Sequence, residues 1–145
     1  MRTGSVEWNQ HKTEFREADG NGKLRCVFAR DITADGTLVM SDRISAPGHY
    51  LPLSAARIDS GPAIVANRVV GGIDHPSLRF AMIPVGVRFF AENHVNVITG
   101  GNEDDTKELY DSLRAIQPED LSRYLHAVTG STQLSARELG RIPLA

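Results

Sequence analysis

Apolar residues follow two different periods along the chain, and the change falls near residue 100. Residues 23–30 alternate Leu24, Cys26 and Phe28 with polar or small neighbours, which is typical of a half-buried strand. Short apolar runs separated by Gly, Pro and Asp predict further strands at 63–70, 78–83, 88–90 and 95–99, with loops at 45–52 and 71–77. Asp35-Gly36 is expected to turn a hairpin after the first strand.

Beyond residue 100 the spacing becomes helical. Residues 104–116 place one apolar stripe on a helix, made of Leu109, Leu113 and Ile116. Pro118 suits the start of a second helix with Leu121, Tyr124, Leu125 and Val128 on one face, and Gly130 suits its end. Ser135 and Glu138 form the capping-box pattern of a short last helix, which Gly140 and Pro143 end.

These elements predict an α+β fold, a twisted and mostly antiparallel sheet followed by C-terminal helices. The 145 residues suit a single domain, 1–145, β-rich over 1–100 and helical over 103–145. The longest apolar runs are far shorter than the roughly 20 residues of a membrane helix. An N-terminus without a signal-peptide core and a single cysteine, Cys26, indicate a cytoplasmic protein.

Charge is balanced overall but unevenly distributed. The chain has 16 Lys and Arg against 18 Asp and Glu, a net charge of −2, which does not indicate a globally basic nucleic-acid binder. Residues 1–100 contain 11 basic and 10 acidic side chains, whereas residues 101–145 contain 5 and 8. Any basic surface is therefore expected on the first two thirds of the chain.

Motifs for metals, nucleotides and nucleophilic catalysis are weak. Residues 31–42 have some of the spacing of a calcium loop around Gly36, but the flanks predict strands and position twelve is not glutamate, so a plain Asp-Gly hairpin is favoured. The Gly22-Lys23 pair lacks the rest of a P-loop, and the five histidines show no zinc spacing. Cys26 is expected to be a core residue. No metal, cofactor or catalytic residue is predicted in this chain.

Three polar clusters exceed what capping and turns require: residues 8–12, 92–96 and 131–133. Their side chains are of the types that read base edges and hold phosphates. Their order, Trp8-Asn9 with Lys12, then Glu92-Asn93-His94 with Asn96, then Gly130-Ser-Thr-Gln133 with the 134–144 ending, resembles the C-terminal target-recognition domain of adenine-specific (N6) DNA methyltransferases of restriction–modification systems. The resemblance spans about residues 4–144. Where family members often carry a Lys and paired arginines after Arg68, this chain has a glycine loop with Asp74 and His75.

The resemblance implies a module that recognises duplex DNA and works with a methyltransferase catalytic domain or subunit. S-adenosylmethionine and the methyl-transfer motifs would belong to that other domain, so this chain would not be an enzyme by itself. The candidate phosphate contacts are Lys12, Arg43, Arg57, Arg68, Arg79 and Arg88. The candidates for base-edge contacts, or for ordering the loops that make them, are Asn93, His94, Asn96, Thr132 and Gln133, and Asn9 and Ser131 complete the DNA-binding set.

Two other classes of function compete with DNA recognition. A protein–protein module could dock a catalytic subunit through the Leu109/Leu113/Ile116 face or the Leu121/Leu125 face. A small enzyme could use His94 or His75 with a neighbouring acid, which would require a histidine bonded to a carboxylate at the bottom of a deep pocket.

Overall fold

The computed structural model describes residues 1–16, 22–40, 48–68, 70–71, 76–99, 101–128 and 133–144. Within them, the first sheet contains, in spatial order, β1 (Arg2–Thr3), β8 (Val95–Thr99), β5 (Ala63–Asn67) and β6 (Phe80–Ile83). The second sheet contains β3 (Tyr50–Pro52), β2 (Lys23–Val27), β7 (Arg88–Ala91) and β4 (Asp59–Ser60). The helices are α1 (Trp8–His11), α2 (Glu103–Arg114), α3 (Pro118–Val128) and α4 (Ala136–Leu139).

The α+β class is confirmed, but the expectation of one sheet is wrong because the strands form two. Every pairing in the described sheets is antiparallel except that of β2 with β7, which is parallel through Cys26↔Phe90 and Val27↔Ala91. A parallel pair needs a long crossover between its strands, and here the chain between β2 and β7 contains β3 to β6.

The two sheets stack, and helices cover the outer face of the first. On β5, Ile64 and Ala66 belong to a core shared with the C-terminal helices, whereas Ala63 and Val65 belong to a core shared with the second sheet. A third cluster lies on the far side of the second sheet and includes Phe15, Cys26, Phe28, Leu51 and Phe90. Because β5 is covered on both faces, all five of its residues are buried.

The predicted C-terminal helices are confirmed. α2 begins after Asn102, whose side chain accepts the Asp105 N–H, and α4 begins after Ser135 with the complete capping box to Glu138. The predicted stop at Gly130 lies outside the described residues. No helix in the described ranges has the length and hydropathy needed to cross a membrane.

The two helical faces named above for docking contribute to the core to different degrees. Leu113, Leu121 and Leu125 are buried in the core under α2 and α3, whereas Leu109 and Ile116 are partly buried against it. The three buried leucines stabilise the fold, and docking through the partly buried residues stays a prediction.

Several strand boundaries also differ from the prediction. The strand expected at 23–30 ends at Val27 because a 3-10 turn, Ala29–Asp31, follows it. The 45–52 loop contains a strand, Tyr50–Pro52, and β4 was not predicted at all. These strands are only 3 and 2 residues long, so they offer too few positions for a period to be visible.

The Asp-Gly turn is confirmed, but the hairpin expected between the first strand and residues 37–40 is wrong, because β2 pairs with β3 and β7 instead. Ile32 and Leu38 form an antiparallel bridge across it, and Gly36 has a φ of 89°, which favours glycine. The calcium geometry is not formed by the described part of this loop. The Asp31 carboxylate is buried and accepts the Phe28 N–H at 2.9 Å, whereas Asp42 lies outside the described residues.

Asp35 in this loop is held as a carboxylate by its neighbours. The Thr33 hydroxyl, followed by the Thr37 backbone N–H at 3.0 Å, lowers its pKa from 3.8 to about 2. Because the pKa of Asp35 is lower in the folded chain than in the unfolded chain, the carboxylate stabilises the fold at pH values above about 4. That contribution is lost as the pH falls from about 4 towards 2.

We expect Thr33→Val to raise the pKa of Asp35 towards 3.8 in an NMR titration. Thr13→Val, on an exposed residue elsewhere, serves as the control, and an unchanged pKa in Thr33→Val would refute the assignment.

Gly4 is the point of closest approach between the N-terminal segment and the end of β7. Its N–H donates to Val95 O at 2.7 Å, and a Cβ there would lie 2.2 Å from Glu92 O and 2.5 Å from Ala91 O. Only glycine lets the two backbones come this close.

Gly4→Ala is expected to lower the free energy of unfolding by about 3 kcal/mol, because the clash is with backbone that cannot rotate away. Gly140→Ala is the matched control, since a Cβ there meets its nearest atom at 3.5 Å with a φ of −67°. Urea unfolding of both variants measures the difference. Equal midpoints for the two would contradict the close approach.

Candidate functional site

The polar residues 92–96 fold into a tight turn between β7 and β8. Val95 N–H donates to Glu92 O at 2.9 Å and closes the turn, so Asn93 and His94 occupy its two central positions. Asn93 N–H donates to Val6 O at 2.7 Å, and Glu92 N–H donates to Val27 O at 3.0 Å. The turn is therefore fixed from both sides by the N-terminal segment and by the end of β2.

Glu92 and His94 form a hydrogen-bonded pair within this turn. The Glu92 carboxylate is buried, accepts the His94 N–H at 2.9 Å through Oε2 and lies 2.8 Å from His94 Nδ1 through Oε1. A carboxylate only accepts, so Nδ1 carries the proton, and Nε2 is the ring nitrogen left to meet solvent or a ligand. The His94 side chain is 49% exposed, compared with 3% for Glu92.

Arg68 lies beside this turn although it is 25 positions away from Asn93 in the chain. Asn67 pairs with Val95 at the end of β5, so the next residue, Arg68, emerges next to His94, whose carbonyl accepts the Arg68 N–H at 2.8 Å. The Arg68 guanidinium reaches Asn93 O through Nη1 at 3.5 Å. Arg68 Nε and Asn93 Oδ1 are shielded from solvent and lack a hydrogen-bond partner among the described residues.

Asn96 is fully buried and joins three parts of the chain. Its Nδ2 donates to Leu134 O at 2.8 Å, and its Oδ1 accepts the Thr3 hydroxyl at 3.1 Å. Leu134 N–H in turn donates to Arg68 O at 2.7 Å. Two roles were expected for Asn96. The base-edge contact is wrong, because the side chain is buried and cannot reach DNA. The other role, ordering a loop, agrees with its hydrogen bonds to Leu134 and Thr3. The loop it orders presents Gln133, which is exposed.

The remaining candidates lie at different distances from the turn. Asn9 and Lys12 are exposed in and just after α1, which begins two residues after Val6. Arg57 is exposed, and its carbonyl faces the Ser5 hydroxyl at 3.5 Å. Arg79 is half-buried and donates to Ala29 O at 3.3 Å. Arg88, in contrast, begins β7, roughly 13 Å of strand away from Glu92.

Arg43, Ser131 and Thr132 lie outside the described residues, as does the Asp74–His75 part of the altered loop. The described candidates that converge are Arg68, Asn93, His94, Asn96 and Gln133. They come from three separated parts of the sequence and meet at one end of the first sheet. We call this group the turn cluster.

Glu92 was not predicted as a site residue, although it fixes the orientation of His94. The signal available in the sequence was a carboxylate two residues before a histidine between two predicted strands. Spacing alone did not indicate that the Glu92 side chain would be buried and bonded to the exposed His94 on one hairpin.

The turn cluster lies apart from the three clefts that described residues line. Three clefts lined by described residues lie against the C-terminal helices, and neither Glu92 nor His94 lines them. Among the described residues, no group of three or more His, Cys, Asp or Glu side chains is placed to hold a metal ion. The pair formed by Glu92 and His94 meets the first requirement of the small-enzyme hypothesis but lies on an exposed turn.

Comparison of the chain with protein-family models, curated proteins and solved structures gave no significant match. The functional argument therefore depends on the residues of the turn cluster.

Asn96→Ala is expected to lower the free energy of unfolding by about 2–3 kcal/mol, because it removes one buried and one partly buried hydrogen bond and leaves Leu134 O without its donor. Amide exchange at Leu134 should accelerate, since its own bond to Arg68 O depends on the same contact. Asn9→Ala, on an exposed residue, should change stability by less than about 0.5 kcal/mol. If Leu134 exchanges at the wild-type rate in Asn96→Ala, this link is not what orders the loop.

Proposed function

We propose that this chain is a sequence-specific recognition module for duplex DNA, acting for an adenine-N6 methyltransferase of a restriction–modification system. The observation that carries the proposal is the turn cluster. Four residues predicted from their chemistry and from the family resemblance, Arg68, Asn93, His94 and Asn96, lie together through hydrogen bonds that no local motif imposes. Leu134, the neighbour of Gln133, bonds both Arg68 and Asn96.

The chemistry of the turn cluster suits the edges and backbone of DNA. Asparagine can bind adenine through paired donor and acceptor atoms, and arginine binds phosphate or guanine. His94 is held through Nδ1, so its Nε2 accepts from a base amino group when the ring is neutral and donates to phosphate when the ring is protonated.

Catalysis is assigned to a separate domain or subunit. That partner would bind S-adenosylmethionine and extract the target adenine from the base stack. The role of this chain would be to position the partner on its site, with phosphate contacts from residues around the turn cluster such as Arg68, Lys12 and Arg57. The modest net charge leads us to expect weak binding by the isolated chain, about 10⁻⁴ to 10⁻⁶ M at physiological salt.

Arg68→Ala tests the proposal, with Arg123→Ala as the control, because Arg123 is an exposed arginine of α3 that is not among the DNA-binding candidates. We expect Arg68→Ala to weaken binding to a random-sequence duplex and to reduce the slope of log affinity against log salt by about 1, because one phosphate contact is lost. Arg123→Ala should leave both quantities unchanged. Fluorescence anisotropy at several salt concentrations measures them, and thermal unfolding monitors the fold of each variant.

Two results would refute the proposal. One is the absence of duplex binding by the wild-type chain up to about 1 mM at low salt. The other is an equal effect of Arg68→Ala and Arg123→Ala, since a general loss of positive charge would then explain the change in binding without the turn cluster.

A further inference from the structure

A continuous groove runs along the C-terminal helices on the acidic part of the chain. Two adjoining clefts, of about 650 and 460 Å³, share Ile116, Asp120 and Pro143. The larger follows the outer side of α2, and the smaller lies between α3 and the C-terminal segment. We call their combined volume the helical groove.

The floor of the helical groove is apolar. Ile116 and Tyr124 are half-buried there, and Ile142 is buried. Leu144 is 43% exposed at one end of the groove. Burial of these side chains by a partner would be favourable at about 25 cal/mol per Å² of apolar surface.

The rim of the helical groove is acidic. Asp104, Glu108, Asp111 and Asp120 line it. Two of them are partly neutralised, because Lys107 pairs with Asp111 at 3.1 Å and Arg123 pairs with Asp120 at 3.1 Å. Asp104 and Glu108 take part in no ion pair within the described chain, so the rim retains negative charge.

We propose that the helical groove binds a basic amphipathic helix of a protein partner. The negative rim complements a positive helix edge and repels the phosphates of DNA. The helical groove therefore suits a different class of ligand from the turn cluster. The apolar floor complements the other face of the same helix.

The backbone chemistry of the walls favours a helix over an extended peptide. An extended peptide gains its main-chain hydrogen bonds from an exposed strand edge, whereas α2 and α3 already use their backbone groups internally. A helical occupant satisfies its own backbone and needs only side-chain contacts. The lining along α2 runs from Asp104 to Ala115, about 16 Å, which corresponds to about three turns of an occupying helix.

A designed helical peptide of about four turns tests the proposal, with leucine at the i, i+3, i+4 and i+7 positions and lysine beside them. We expect it to bind the full chain with a Kd below about 1 mM at low salt. We also expect amide shifts in NMR spectra to concentrate on groove residues such as Glu108, Ile116 and Tyr124. A peptide with glutamate in place of each lysine should bind at least about tenfold more weakly.

Charge reversal locates the contact. The double variant Asp104→Lys and Glu108→Lys should weaken the lysine peptide by at least about tenfold at low salt. The matched control, Asp105→Lys with Glu119→Lys, reverses exposed acids in the first turns of α2 and α3 that do not line the groove, and should bind as the wild type does. Leu144→Asp should also weaken binding. Duplex DNA binding should not decrease in the groove variant, so this proposal and the DNA proposal can fail separately.

Four outcomes of the binding experiments would overturn the inference. They are the absence of peptide binding up to about 1 mM, equal binding of the acidic peptide, an equal effect of the two double variants, and shifts at the groove caused by duplex DNA in place of the peptide. Sedimentation of the chain alone supplies a further check. Self-association that the groove variant abolishes would assign the groove to a second copy and overturn the proposed partner.

Discussion

The structure depends on the burial of β5 on both of its faces. Ile64 and Ala66 point towards the helices, and Ala63 and Val65 point towards the second sheet, so one five-residue strand fixes the position of both layers. A strand covered twice has no face that water can reach, and each polar group there needs an internal partner. Asn67 satisfies this requirement by bonding Ser77 O at 2.6 Å and Arg79 N at 2.6 Å, which also closes the 68–79 loop.

The same constraint creates the turn cluster. Because β5 and β8 run antiparallel with Asn67 opposite Val95, the residues just outside the sheet on either strand, Arg68 and His94, must emerge together. Asn96 belongs to the next residue pair of the ladder, opposite Ala66, on the face of the sheet that the helices cover. Its amide Nδ2 donates to the Leu134 carbonyl at 2.8 Å. The position of the turn cluster therefore follows from strand register and from one buried amide, which explains how residues so far apart in sequence share one surface.

The sequence predicted elements with a visible period better than it predicted their arrangement. The long C-terminal helices, the capping box at Ser135, the strand at 95–99 and the Asp-Gly turn are confirmed, because each depends on local chemistry. The short strands and the division into two sheets were missed, since both depend on pairings between distant residues. The alternation of apolar and polar residues is also absent where a strand is covered on both faces, as in β5. For the turn cluster, the residue types could be selected from sequence, but the burial of Asn96 and the anchoring of His94 by Glu92 required the structure.

The uneven charge of the chain has a physical consequence for how its surfaces could work together. At physiological ionic strength the Debye length is about 8 Å, and exposed charges further apart than this are largely screened from each other. Acids on the outer side of the helices therefore have little influence on a phosphate that lies well beyond that distance. They do act on any phosphate that approaches the helices directly. An acidic helical layer therefore need not oppose DNA binding at the turn cluster, and it would disfavour docking in the reverse orientation. The net charge of −2 is consequently a poor guide to whether this chain binds DNA, whereas the distribution of charge between its two parts is informative.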